Sequence, residues 1–284
     1  MKLSVYSLSL KDKSPVQVVE LAEKYGCDAI EWWCRENGHV DRANLEQSAR
    51  EISALMKKTG AEACALSPYF KYSEPKDELR RIFGAARIIG AGLVRCHSYA
   101  YPVDAAVQDL IEKQRKWLEQ EVIPAADELE VKLVIEQHMN HICCTPNACR
   151  ELVDGLPANR VGIIYDPGNS LAEGYTSPEY AVSVFGGYLS HVHVKSCRPT
   201  TEGYIQRGRK YPVQWGKLAE GDLDWEQIVA ALKKANYRGY LSLEALDSRE
   251  SEQKLKDDIP FLQNILRAFP GASENPMQAW RNIN

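Results

Sequence analysis

Apolar and polar positions along this chain follow two alternating periods. Short runs rich in apolar and β-branched residues recur eight times: KLSVYSL (2–8), CDAIEWW (27–33), AEACALS (61–67), GLVRCH (92–97), KLVIEQH (132–138), VGIIYD (161–166), YLSHVHVK (188–195) and GYLSLEA (239–245). Each is followed by a longer stretch with helical spacing. Leu45, Ile52, Leu55 and Met56 fall on one helix face, as do Ile228, Val229, Leu232 and Ala235. SPVQ (14–17), SPEY (177–180) and DLDW (222–225) read as helix N-termini. Gly26, Gly60 and Gly90 sit where helices should stop.

Strand–helix units in series imply a parallel sheet covered by helices, and eight of them imply closure. The expected fold is therefore α/β, a single (β/α)8 TIM barrel over residues 1–270 with a C-terminal tail at 271–284. A doubly wound open sheet would favour a Gly-rich phosphate turn after the first strand, and residues 8–16 contain no glycine. Two segments are expected to be irregular, 197–220 and the tail.

Buried parallel strands usually read as near-continuous Val/Ile/Leu runs, so polar interruptions carry information. HVHVKS (191–196) puts His191, His193 and Lys195 on one strand face. In a barrel the active site lies at the C-terminal strand ends. There strand five delivers Glu136, strand six Asp166, strand seven His193 and strand eight Glu244. A lone acid after an apolar run is commonly a cap or an ion-pair partner. Three acids and a histidine at one level are harder to dismiss: the crowded carboxylates would repel and raise one another's pKa, and a divalent cation removes that problem. The set is mostly hard oxygen, which suits one Mn²⁺, with Mg²⁺, Co²⁺ or Zn²⁺ as alternatives. Structural zinc would show closely spaced cysteines.

With these residues in view, the sequence resembles the sugar phosphate isomerase/epimerase group with the xylose isomerase-like TIM barrel. That group includes ketose 3-epimerases, hydroxypyruvate isomerase and inosose dehydratase, and is related to endonuclease IV. The matching stretches are LVIEQH (133–138), IIYDPGN (163–169), HVHVKS (191–196) and EGDLDWEQIVAALKKANYRGYLSLE (220–244). The resemblance implies that Glu136, Asp166, His193 and Glu244 are metal ligands. It selects His193 over His191, because the group's ligand histidine is the one followed by x-Lys. His191 is then a packed or supporting residue. Ser196 stands where the group commonly has Asp, which leaves the role of Lys195 open between the site and the surface.

Further candidates for substrate contact are His138, Asn169, Lys195, Arg198, Glu31 and His97. A carboxylate at Glu31 needs either a substrate hydroxyl or a basic neighbour. Trp33, Tyr69, Phe70, His97 and Tyr99 end strands and either wall a sugar or pack the rim. His141 is expected to be a loop residue. Arg207, Arg209 and Lys210 either close over a phosphate or are solvated.

The implied reaction is metal-dependent interconversion of a ketose, or ketose phosphate, through an enediolate, with Glu136 and Glu244 as the proton-transferring pair. An inosose-type dehydratase and a non-catalytic metal- or sugar-binding barrel are the competing readings. A net charge of −4 gives no general attraction to nucleic acid or to an anionic membrane. No run approaches about 18 apolar residues, and the N-terminus has too short an apolar core for a signal peptide. The eight cysteines include no CxxC pair and read as reduced thiols of a cytoplasmic protein. The expected partner is a small-molecule sugar, and Trp280 in the tail is a candidate contact for a homo-oligomer.

Overall fold

The computed structural model describes residues 1–69, 75–100, 106–200 and 213–268. Eight strands form where the apolar runs lie: β1 (Lys2–Tyr6), β2 (Ala29–Arg35), β3 (Glu62–Pro68), β4 (Leu93–His97), β5 (Lys132–Glu136), β6 (Val161–Tyr165), β7 (Leu189–Val194) and β8 (Tyr240–Leu243). Each pairs in parallel with its neighbours in chain order. β1 pairs with β8 through Lys2 opposite Tyr240, and with β2 through Ser4 opposite Ala29, so the sheet closes into a barrel.

Local chemistry sets the helix ends. Ser14 accepts a hydrogen bond from the Gln17 amide while the Gln17 side chain reaches back, and the Ser177 and Asp224 side chains accept from the Tyr180 and Gln227 amides. Gly60 and Gly90 terminate helices at φ of +74° and +89°, a conformation that costs glycine nothing. The helices pack their apolar stripes on the barrel wall: Leu45, Ile52 and Met56 on one, Trp225, Ile228, Val229 and Leu232 on another. The barrel interior is instead polar at several levels. Ser4, Glu31, Ser67, Arg95, His191 and Ser242 are all 2% exposed or less.

Two details differ from expectation. β1 stops at Tyr6, and Ser7–Leu10 turns as a 3-10 helix. There Ser7 Oγ accepts from the Trp33 amide at 2.8 Å, and Ser9 Oγ accepts from the Ala245 amide at 2.9 Å while donating to Leu243 O. Those hydroxyls tie the exits of β1, β2 and β8 together, which a continued strand would not do. The segment 197–220 is not wholly irregular either. Ser196–Pro199 and Val213–Gly216 pair as an antiparallel ribbon, with Trp215 opposite Cys197. Arg207, Arg209 and Lys210 lie outside the described residues, as do Phe70 and the tail with Trp280.

Trp225 opens its helix and is 1% exposed. Trp225→Ala is expected to cost about 3–5 kcal/mol, a fall in Tm of about 6–20 °C at this size. Thermal denaturation followed by circular dichroism checks this, and a shift under about 3 °C would contradict the packing described.

Candidate active site

Glu136 closes β5, Asp166 follows β6, His193 lies in β7 and Glu244 follows β8. Each offers a donor atom within 4.8 Å of the other three, and all four are buried. His193 Nδ1 lies 3.0 Å from Glu136 Oε1, and 3.6 Å from both Asp166 Oδ2 and Glu244 Oε2. Asp166 is also the N-cap of helix Pro167–Glu173. Its Oδ1 accepts from the Asn169 amide and its Oδ2 from Asn169 Nδ2, each at 2.9 Å. The Asp-Pro-Gly-Asn turn thus fixes a carboxylate and an amide side chain together.

Two cations hold these acids. Lys195 Nζ donates to Asp166 Oδ2 at 2.7 Å and to Glu244 Oε2 at 2.6 Å. Arg95 donates through Nε and Nη2 to Glu136 Oε2. Lys195 is 4% exposed, so it belongs to the site and not to the surface. A Cβ on Gly168 would stand 2.7 Å from Lys195 Cγ, so only glycine leaves room for the lysine stem. Trp215, carried by the ribbon, covers the ammonium at 5.2 Å from the ring centroid.

The proton positions follow from this charge. Burial would raise Glu136, but Arg95 and His193 outweigh it and hold the carboxyl well below its usual range. Burial likewise disfavours charge on His193, yet Glu31, Glu244, Asp166 and Glu136 keep it protonated well above its ordinary pKa. The same carboxylates keep Lys195 charged despite burial.

One level deeper sits Glu31. Its Oε1 accepts from Ser67 and from His193 Nε2 at 3.2 Å, and its Oε2 from His191 Nε2 at 2.9 Å and Ser242 Oγ at 2.7 Å. Of the two partners expected for this carboxylate, the structure supplies protein donors and leaves no oxygen for a sugar. By holding the His193 Nε2–H, Glu31 presents Nδ1 to Glu136, Asp166 and Glu244. That is the arrangement by which a carboxylate orients a metal-binding imidazole. His191 lies against Glu31 with its ring edge-on to His193, on the far side from the three acids.

The donor set fits a divalent cation. It is oxygen-rich with one imidazole, and its donor atoms lie within 4.8 Å of one another, close enough to share one ion at bonds of roughly 2.0–2.3 Å. Three buried acids besides Glu31 face two permanent cations, so further positive charge is accommodated.

The other expected contacts divide. Asn169 reaches Glu136 Oε1 at 3.4 Å and Gln137 O at 3.1 Å. His97 Nδ1 lies 3.5 Å from Glu136 Oε2. His138 stands edge-on to His97, and His141, expected as a plain loop residue, stacks on the same ring. Arg198 is not brought to the cluster. It is 59% exposed on the ribbon and lies 3.7 Å from Asp222. Sequence reasoning missed Arg95, Tyr6 and Trp215. Tyr6 stacks on His193 with centroids 6.0 Å apart and accepts from Arg95 Nη1 at 3.2 Å. Arg95 left a signal, a charged residue inside the apolar run GLVRCH.

Fold and site together define a class: an α/β barrel with an acid–histidine cluster buried at its C-terminal mouth. The family model for the xylose isomerase-like TIM barrel matches residues 19–265, and the chain belongs to that family. It is 30% identical over 129 residues to an inosose dehydratase of Clostridium perfringens, a match covering 42% of each chain. The chain thus spans under half the length of the curated relatives it matches. Among solved structures it resembles the IOLI protein with a bound zinc atom, at TM-score 0.77 and 16% identity over 96% of this chain and 100% of that one. It also resembles L-ribulose 3-epimerase, at TM-score 0.74 and 15% identity over 94% and 95%.

Glu31→Ala is expected to cost about 3–5 kcal/mol, because it strands two imidazoles in a buried polar layer. Metal affinity is expected to fall about 10–100-fold with it, since His193 loses its anchor. His191→Ala is expected to lower stability while leaving metal affinity nearly unchanged. Urea unfolding and metal titration on both variants check this, and the reverse ranking would exchange the roles of His191 and His193.

Proposed function

We propose that this chain interconverts a ketose or ketose phosphate with its epimer or aldose, by metal-dependent proton transfer next to the carbonyl. One observation carries the reading. Glu136 and Glu244, from the first and last of four consecutive strands, flank His193 and Asp166 at the barrel mouth. Glu136, Asp166, His193 and Glu244 would hold one divalent cation, Mn²⁺ by preference for an oxygen-rich set, with Mg²⁺, Co²⁺ or Zn²⁺ as alternatives. When bound it supplies Lewis-acid polarisation of the carbonyl.

The chain's own residues divide the remaining work. Glu136 is the weaker base of the pair, because Arg95 takes one oxygen with two N–H groups and His193 and Asn169 meet the other. Glu244 is tied at Oε2 by Lys195, while Oε1 has only the 3.9 Å approach of Arg95 Nη1. Glu244 is therefore the group that takes the proton from carbon, and Glu136 serves the opposite face. Removal of that proton leaves an enediolate, and Lys195 and Arg95 supply positive charge beside it. Asn169, held by Asp166, orients substrate oxygens.

A second reading has its own support. The curated relatives are inosose dehydratases. The first proton transfer is the same in that reaction, and the charged Lys195 would then assist loss of a hydroxyl from an inositol-derived ketone. Either way the partner is a small polyhydroxylated ketone. None of the eight cysteines is in a disulfide, in keeping with a reducing, cytoplasmic setting, and among the described residues no helix is long and apolar enough to cross a membrane.

Incubation with Mn²⁺ and a panel of ketoses in deuterium oxide tests the proposal. Deuterium on the carbon next to the carbonyl, without loss of water, is the expected result. Water lost from an inositol-derived ketone would make it a dehydratase, and neither result across the panel would favour the binding barrel. Glu244→Gln is expected to slow exchange roughly 10²–10⁴-fold.

Metal uptake should also depend on pH. His193 must lose its proton to ligate, and that proton is held well above the usual imidazole range. Apparent affinity is therefore expected to rise by about tenfold per pH unit until His193 titrates. Titration calorimetry in buffers of different ionisation enthalpy reads the proton released, and a pH-independent affinity would contradict the protonated state.

A further inference from the structure

Trp215 reaches the site from outside the barrel. It rides on the ribbon opposite Cys197, with its ring centroid 5.2 Å from the Lys195 ammonium. A Cβ on Gly168 would stand 3.3 Å from its Cζ3. Barrel packing does not fix a side chain carried this way, so the ribbon itself must be held. Two links do so at its root. The Asp222 amide donates to Cys197 O at 3.1 Å. The Leu218 amide, three residues past Trp215, donates to Asp258 Oδ1 at 3.0 Å, a buried contact with the last helix, Ser251–Ala268.

Asp258 is locked in turn. Its Oδ2 accepts from Arg249 Nη2 at 2.7 Å. Arg249 also donates through Nε and Nη2 to the two oxygens of Asp247, at 2.7 and 2.8 Å, and through Nη1 to Asp257 Oδ2 at 3.1 Å. Asp247 stands three residues past Glu244, so the guanidinium joins the exit of β8 to the root of the ribbon. The last helix is fastened to the same exit. Lys254 Nζ donates to Ser9 O at 3.4 Å, and Ser9 Oγ bridges Leu243 O and the Ala245 amide. One network thereby connects the segments that carry two groups packed on Lys195, the Glu244 carboxylate at 2.6 Å and the Trp215 ring.

Stability alone is a poor account of this network. The Asp258 and Asp247 side chains are 2% and 7% exposed and Arg249 is 16% exposed. Burying such a set costs desolvation that its Coulomb attraction roughly offsets, and apolar side chains of equal volume would hold the helix as well. They would not supply an acceptor aimed at the Leu218 amide. A planar guanidinium gripped on both oxygens of Asp247 fixes the Asp258 carboxylate in one orientation. Among the described residues, neither Arg249 nor Asp258 hydrogen-bonds or ion-pairs with the four-residue cluster, so any effect on the site passes through the ribbon.

We propose that Arg249 and Asp258 are positioning residues that set Trp215 over Lys195, and through it the wall against which the substrate ketone lies. The substrate wall rests on the reaction proposed above; the placement of Trp215 does not.

The test uses the full chain. Asp258→Ala removes the Leu218 acceptor, Asp258→Asn restores it, and Arg249→Met is a second disruption should the first not fold. Circular dichroism confirms the fold of each. The emission of Trp215 is read as the difference between each protein and its Trp215→Ala counterpart. Asp258→Ala and Arg249→Met are expected to shift that emission to the red and open it to acrylamide quenching, and Asp258→Asn to bring back most of the unmodified signal. On a ketone that the protein turns over, the two disruptions are expected to raise KM about 3–10-fold with kcat nearly unchanged. In the Trp215→Ala background the same substitutions are expected to change KM less than about 2-fold, because residues that act through one another do not add. A Trp215 emission unmoved in the folded variants, or losses that add in both backgrounds, would overturn the proposal. A shifted emission without turnover of any ketone would uphold the placement of Trp215 and count against the reaction alone.

Discussion

Four carboxylates inside one barrel repel, and each loses its hydration on burial. Neither cost is tolerable unless positive charge is interleaved with them. Much of the upper barrel reads as an answer to that constraint. Arg95 rises from β4 to take Glu136, Lys195 passes between Asp166 and Glu244, and His193 is held as an imidazolium between Glu31 and Glu136. Features that look unrelated follow. Gly168 is small because the Lys195 stem runs past it, and Trp215 lies over the ammonium because a buried cation gains from an aromatic face. The polar layer of Ser67, His191 and Ser242 exists because Glu31 needs donors on both oxygens.

Most of the fold was legible in the sequence. A strand buried on both faces forces an apolar run, and a helix on its surface forces a 3.6-residue stripe, so the eight repeats marked the architecture directly. Glu136, Asp166, His193 and Glu244 were legible for the same reason, as breaks in that pattern at strand ends. What the sequence hides is the level each residue occupies across strands. Glu31 and Arg95 belong to neighbouring strands' partners through register, and register is set by closure of the whole barrel. Glu31 thus looked like a pocket residue but lies one layer below it. Arg198 looked close to His193 along the chain, but the ribbon turns it outward toward Asp222. His141 looked like loop, because its meeting with His97 depends on a bridge to Ala100 that no local pattern announces.

Rigid elements and exposed ones are divided by function. Barrel strands carry Glu31, Glu136 and His193, and Asp166 and Glu244 stand one residue past their strands' ends. The ribbon and the loop after β5 carry Trp215, His138 and His141, which sit at the rim where a ligand would enter. A frame of this kind permits variation at the mouth without disturbing the charge balance beneath it.

Asp166 holds two jobs in one side chain, capping a helix and presenting a negative oxygen to the cluster. Asparagine caps a helix about as well as aspartate does, and it differs by a single base in the codon. The turn would keep its shape while the mouth of the barrel lost a charge. An evolutionary path from catalyst to mere receptor is therefore short in this scaffold, and it need not pass through an unfolded ancestor.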